Sequence, residues 1–256
     1  MLTVNASILL GAFNHAAREG KKPKLPGEIA TNEARIKIGK LWEASPILCY
    51  KRKIKTGCRN ILSGEREIRK IPITMLSADK ESPNEEIALI FNHAGQISDL
   101  NITIKSEIIK DAGEWELSQE EGINYNKIID FLEKFRTAYA CKDIEYIKNI
   151  YSIGIHNFYD NQVKRKKQYL TDLKKAFNKK AYVNVVFDFV EIEPHPGKYS
   201  IYGVTVKQRW KSSTFSDVGF LYLLIDCRKG YEMQIFVRAW SPDRIFDFAF
   251  FDEIRN

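Results

Sequence analysis

The chain has 256 residues, 44% hydrophobic and 12% aromatic, which is ample for a buried core and excludes a disordered polymer. No apolar run approaches the roughly 18 residues needed to span a bilayer, so the chain reads as soluble. The net charge of +7 is uneven: residues 18–70 hold 15 Lys/Arg against 6 Asp/Glu, residues 71–122 hold 3 against 11, and the rest 22 against 16.

The start, "MLTVNASILLGAFNHA", carries only a brief apolar run at Ile8 to Leu10 with no basic residue before it, a poor signal peptide that leaves export open. "GKKPKLPGE", Gly20 to Glu28, is a linker between a short helical start and a helix-like stretch around Ala30 to Trp42, so residues 1–45 read as a helical and linker segment. From Ile47 the pattern turns to short β-like runs, "ILCYKRKI" and "EIRKIPITML", and then to a hairpin within Glu85 to Lys105. Its turn is "NHAG", where Gly95 tolerates positive φ and His93 faces solvent. Residues 46–122 form a small β-rich region, closed by the acidic, glycine-broken linker Lys110 to Gly122.

The helical period begins straight after that linker. Ile128, Phe131, Leu132, Phe135 and Tyr139 fall at i, i+3, i+4, i+7 and i+11, one broad apolar stripe on a helix. Asp143 to Tyr151 and Lys164 to Phe177 read as two further helices, the last opening on the basic run "KRKK". That run reads as a solvated face and not a nucleic-acid interface, because the aromatics alternate into a core instead of interleaving with a basic stripe. Four strand-like runs follow: "AYVNVVFDFVEIE", "SIYGVTVKQRW", "SDVGFLYLLID" and "YEMQIFVRAW", separated by "PHPGK", "KSSTF" and "CRKG". His195 belongs to the first of these turns, and the isolated His15 adds nothing. Three helices followed by strands with no helix between them require an antiparallel sheet with the helices on one face, an α+β domain over residues 123–256.

The same order resembles the nuclear transport factor 2-like superfamily, which includes ketosteroid-isomerase-like enzymes. "FRTAYACKDIEYIKNIYS" is similar to that fold's helix-to-helix passage. "KKQYLTDLKKAF", "IYGVTVKQRWKSSTFSDVGFLYLLID" and "RAWSPD" resemble a bacterial branch of exported proteins of unassigned role. The resemblance implies a cone-shaped domain of three helices on a curved antiparallel sheet over about residues 123–243. "SIGIHNFYDNQ", Ser152 to Gln162, departs from the pattern in a loop that in the superfamily helps line the mouth of the cone, with Ile153, Gly154 and His156 where an acid and small apolar residues are expected.

No cofactor motif or catalytic triad is present. Cys49, Cys58, Cys141 and Cys227 lack a second ligand at zinc spacing and read as free thiols, with a Cys49–Cys58 pair as the alternative. Alternation places Tyr202, Val204, Val206, Gln208 and Trp210 on one strand face, pointing inward. On the last strand Gln234, Phe236, Arg238 and Trp240 share a face, but its direction is ambiguous. Facing inward, they bring Gln208, Trp210, Arg238 and Trp240 together with Tyr222 in a part-polar cup, where an arginine between two indoles suits a carboxylate or an aromatic ring. The competing reading packs both tryptophans at the end of the sheet, with Arg238 pointing outward or paired with Asp217 or Asp243. "SSTFSD", Ser212 to Asp217, reads first as turn chemistry and second as a binding rim.

For acid–base work the available pieces are Asp188, Tyr182, Tyr222 and His156. The leading expectation is a non-catalytic module that binds a small ligand or a protein. The alternatives are an isomerase or hydratase acting on a small apolar substrate and, from the apolar residues on both faces of "FLYLLI", a homodimer through the sheet.

Overall fold

The computed structural model describes residues 1–49, 57–61, 64–76, 84–110, 119–159, 162–228, 232–243 and 248, with 119–121, 153–159 and 162–163 by backbone alone. It is an α+β protein of two compact units. None of the described helices is long and apolar enough to cross a membrane.

The first unit comprises Met1–Thr103 with residues 140–142 and 181–184. Helix α1 (Leu2–Glu19) buries Ala6, Leu9, Phe13 and Ala16, a stripe at helical spacing, and ends at Gly20 in the left-handed region, φ 62°. Helix α2 (Asn32–Ala44) starts at Thr31, whose hydroxyl accepts the Ala34 N–H at 3.2 Å. Its Trp42 stacks on Phe13 with ring centres 5.9 Å apart. The strands are β1 (Ile47–Cys49), β2 (Gly57–Asn60), β3 (Arg66–Met75), β4 (Asn84–Phe91) and β5 (Ile97–Ile102), and the helices share one buried core with all of them but β2, whose residues are exposed. The sheet runs β1-β3-β4-β5 with β2 also on β3, all pairs antiparallel. Residues 1–45 are thus helical at both ends, and their apolar stripe is part of a buried core. The β4–β5 turn is closed by Gly95 N–H to Asn92 O at 2.9 Å, with Gly95 at φ 78°. Residues 111–118 of the sequence-predicted linker lie outside the described residues.

The second unit holds helices α3 (Gln119–Ala140, all but its last residue), α4 (Ile144–Ile150) and α5 (Lys166–Asn178). Its strands are β6 (Tyr151–Tyr159), β7 (Gln162–Lys164), β8 (Val183–Pro194, from Val185), β9 (Ile201–Ser212), β10 (Ser216–Asp226) and β11 (Gln234–Ser241), in the order β7-β6-β11-β10-β9-β8. The apolar stripe of α3 is buried from Ile128 to Tyr139, and Arg136 beside it donates from Nε to the Val185 carbonyl at 2.6 Å. Asp143 caps α4 by accepting the Tyr146 N–H at 3.1 Å.

Two features depart from the sequence-based expectation. The segment expected as a loop, Ser152 to Gln162, is largely strand β6, and it runs parallel to β11, so the sheet is mixed and not purely antiparallel. Aromatic and branched residues at Ile153, Ile155, Phe158 and Tyr159 suit a strand, and α5 together with β8 to β10 supplies the long crossover that a parallel pair requires. The second is a bulge. Leu224 pairs with Val237 but Ile225 with Ile235, which leaves Phe236 as the extra residue. Phe236 therefore packs with the apolar cluster of Tyr222, Leu224, Val237 and Ala239, away from Arg238 and Trp240.

Candidate functional site

Antiparallel partners share a sheet face, so the register assigns the site. Val206 faces Leu221, which faces Trp240; Val204 faces Leu223, which faces Arg238; Trp210 faces Asp217. Gln208, Trp210, Arg238 and Trp240 consequently lie on one face. There they meet Tyr139 of α3 and Tyr169, Leu173 and Ala176 of α5 around a cavity of about 330 Å³. Lys164, Asp172, Lys180, Phe215 and Asp217 complete its lining.

The wall is aromatic. Tyr139 meets Trp210 edge-on at 5.8 Å and Phe177 at 6.1 Å, and packs on Phe135 at 4.7 Å. Its hydroxyl is the centre of a chain: it pairs with the Tyr151 hydroxyl at 3.0 Å and with the Tyr169 hydroxyl. Burial pushes the pKa of both Tyr139 and Tyr151 well above the ordinary tyrosine value, so both remain protonated donors. The Arg238 guanidinium lies over the Tyr169 ring, 5.4 Å from its centre. Burial works against the Arg238 charge, but Tyr169, Tyr151 and Tyr139 work for it and the net direction is upward. Arg238 stays cationic, and its side chain forms part of the cavity wall.

The other sequence-predicted residues lie elsewhere. Tyr222 pairs with Ala239 and Thr205 and so sits on the opposite face, in contact with Phe248 at 6.4 Å, because a strand residue two from Leu224 and one from Leu223 cannot face the cavity. Asp188 is held by Arg209 in a two-pronged ion pair at 2.7 and 2.8 Å. Neither Asp188 nor Tyr182 is among the cavity's lining residues. The backbone of His156 pairs with Val237, and its side chain lies outside the described residues. Ser212 closes the "SSTF" turn as expected of turn chemistry: its hydroxyl donates to the Phe215 carbonyl at 3.0 Å and accepts the Phe215 N–H at 3.1 Å. The same hydroxyl accepts a hydrogen bond from Lys180 Nζ at 2.9 Å.

Sequence reasoning passed over the tyrosine chain and Lys180. Tyr139 and Tyr169 sit on apolar helix stripes, where periodicity reports burial and is silent on where a hydroxyl points. Lys180 follows α5 in a lysine-rich stretch, where no spacing in the sequence gives it a partner. Among the described residues no group of three or more His, Cys, Asp or Glu is gathered to hold a metal.

No family model matches the sequence, and no curated protein does. Solved structures similar to about half of the chain include nuclear transport factor 2-like proteins. One from Cytophaga hutchinsonii is 14% identical, with 49% of this chain and 99% of that chain covered at a TM-score of 0.41. Bd1075 of Bdellovibrio bacteriovorus is 21% identical over 51% of this chain and 45% of its own, TM-score 0.43. The helical cell shape determining protein Pgp2 of Campylobacter jejuni is 14% identical over 47% of this chain and 41% of its own, TM-score 0.41. The match therefore spans less than half the length of the latter two proteins.

Proposed function

We propose that the second unit is a binding module for a small organic anion, a carboxylate on an apolar body, and that it holds this ligand without transforming it. The observation that carries the reading is the Arg238 guanidinium, stacked over Tyr169 in the wall of a 330 Å³ cavity that also contains Trp210 and Trp240. Indole walls take the apolar body and the cation takes the acid, the usual division of labour in a ligand pocket. Against catalysis stands the position of Asp188, whose carboxylate is engaged by Arg209. A second reading, an isomerase or hydratase, is favoured by the buried tyrosine hydroxyls, which are protonated donors of the kind that stabilise an oxyanion. In that reading Asp217, which lines the cavity, is the base.

The test is a tryptophan-fluorescence titration with 4-phenylbutyrate and its uncharged match, 4-phenylbutyramide. A charge-assisted hydrogen bond of about 1.5–3 kcal/mol makes the acid bind about 10- to 100-fold tighter, and Arg238→Gln removes that advantage while the amide is unaffected. Equal binding of acid and amide by the unaltered protein overturns the proposal. Solvent deuterium exchanged into an unsaturated ketone by the unaltered protein but not by Asp217→Asn favours the enzyme instead.

A further inference from the structure

We infer that the outer face of α5 is an electrostatic docking surface for an anionic phospholipid bilayer, which the protein touches without inserting into it. Residues 164–179 hold seven Lys/Arg against the single acid Asp172, so they carry six of the chain's net charge of +7. The surplus of residues 18–70 is nearly cancelled by the deficit of 71–122, whose strands β4 and β5 lie in one sheet with β3. The surplus around α5 is left standing: outside 164–179, residues 123–256 hold 15 Lys/Arg against 15 Asp/Glu.

The fold puts that charge on one side. Tyr169, Leu173 and Phe177 are the buried stripe of α5, and Lys167, Lys174, Lys175 and Lys179 are exposed on the side opposite. Asp172 is held by Lys164 at 2.7 Å, with Lys175 acting on it from further off. Among the described residues, Arg165 and the four exposed lysines have no acidic partner at ion-pair distance. On other helices Lys22 has Glu43, Lys37 has Asp99 and Lys148 has Glu145. Burial and the charge of Lys148 both lower the Lys166 pKa, so the positive field reaches α4. The arrangement also works against the helix. Arg165, Lys166 and Lys167 open α5 with no acid in its first turn, where the dipole disfavours cations, and Lys175 and Lys179 repel one another one turn apart. Helix stability does not account for this placement; an outside anion does.

The chemistry of the face selects the kind of anion. Beside its lysines the exposed residues of α5 are Gln168, Thr171 and Asn178, and none is apolar or aromatic. A protein partner needs aromatic or apolar anchors at the centre of its interface, where lysine is depleted. Nucleic acids are gripped by arginine forks and stacked aromatics, which this face lacks beyond Arg165. A row of flexible point charges along a 13-residue helix of about 20 Å suits a fluid surface whose headgroups move to meet it. With no apolar residue to insert, attachment is reversible and salt-sensitive.

The test is co-sedimentation of the full chain with phosphatidylcholine vesicles holding about 30% phosphatidylglycerol or none, at about 50 mM and about 500 mM salt. Binding is expected only with phosphatidylglycerol and only at low salt. Each lysine contributes up to about fivefold, so the combined Lys167→Gln, Lys174→Gln, Lys175→Gln and Lys179→Gln variant is expected to bind at least about twentyfold more weakly. None of the four lines the cavity, so its 4-phenylbutyrate affinity stays within about twofold of the unaltered protein's. A control with Arg18→Gln, Lys21→Gln, Lys24→Gln and Lys40→Gln removes as many charges and is expected to keep vesicle affinity within about threefold. Equal losses in the two variants mean that net charge decides and not α5, and the inference fails; it fails also if the unaltered protein does not bind phosphatidylglycerol. Should the α5 variant lose its far-ultraviolet helix signal, the pair Lys174→Gln and Lys179→Gln decides by the same comparison, with an expected loss of about fivefold or more. Tighter binding to duplex DNA than to vesicles at equal phosphate, lost in the α5 variant, assigns the face to nucleic acid and overturns the bilayer.

Discussion

The two faces of β9, β10 and β11 come from one alternation and end differently. On the face toward the helices, Gln208, Trp210, Arg238 and Trp240 border a cavity. On the other, Tyr222, Leu224, Val237 and Ala239 are buried, and Phe248 from near the C-terminus packs on them. Each face keeps a glycine where an aromatic side chain crosses the strand. At Gly219 a methyl group meets the Ser241 carbonyl at 2.7 Å and the Trp240 ring at 2.9 Å; at Gly203 it meets the Tyr222 hydroxyl at 2.5 Å and the Phe248 ring at 2.8 Å. Strand periodicity sorts residues to faces, but the layer laid over each face decides whether it closes or stays open. The apolar second face of "FLYLLI" is accordingly satisfied in part by the chain itself.

The largest effect expected from breaking this comparison is at the glycines. Gly219→Ala drives a methyl into backbone and is expected to cost about 3 kcal/mol, while Gly203→Ala meets side chains that can give and costs about 1–2 kcal/mol. Urea unfolding measures both, and only Gly219→Ala is expected to change the tryptophan emission attributed to the cavity. Equal stability of either variant and the unaltered protein removes the close-packing argument for that face.

Tyr139→Phe comes next, at about 1–3 kcal/mol, because it leaves buried hydroxyls of Tyr151 and Tyr169 without their common partner. It also carries a pH signature. The folded pKa values of Tyr139 and Tyr151 are raised above the unfolded value of about 10, so the native state binds their protons more tightly. Their contribution is complete below that pH and is lost as pH rises above it. Unfolding midpoints between pH 8 and 11 are expected to fall at the alkaline end, less steeply in Tyr139→Phe.

The smallest effect belongs to Asp188→Asn. Its pair with Arg209 is partly solvated, so the expected loss is about 1 kcal/mol or less, with ligand affinity unchanged. A binding defect in this variant contradicts the assignment of Asp188 outside the cavity.

Much of the scaffold was legible in the residues. Ile128, Phe131, Leu132, Phe135 and Tyr139 mark α3 because spacing of three and four is decisive over several turns, and all are buried. The β4–β5 hairpin was legible from "NHAG", with Gly95 at positive φ. The inward set Val204, Val206, Gln208 and Trp210 follows from strict alternation, and Gln208 and Trp210 do line the cavity. Strand β6 was not legible, since its partner β11 lies some eighty residues further on and supplies the pairing that makes it a strand. The bulge at Phe236 was equally hidden: one extra residue flips parity, and no residue type announces it. Tyr222 was grouped with the cup from its strand alone, whereas the register with Thr205 and Ala239 turns it away.

The sequence by itself determined the α+β class, the helix stripes, the strand alternation and the absence of a recognisable cofactor motif, because each depends on periodicity or local chemistry within a single element. Tertiary structure alone decided which face holds a cavity, that three tyrosine hydroxyls from α3, β6 and α5 meet, and that a helix-end lysine rests in the "SSTF" turn. Those facts depend on distances between elements far apart in the chain, set by register, a bulge and a parallel crossover, and no window of the sequence contains both partners.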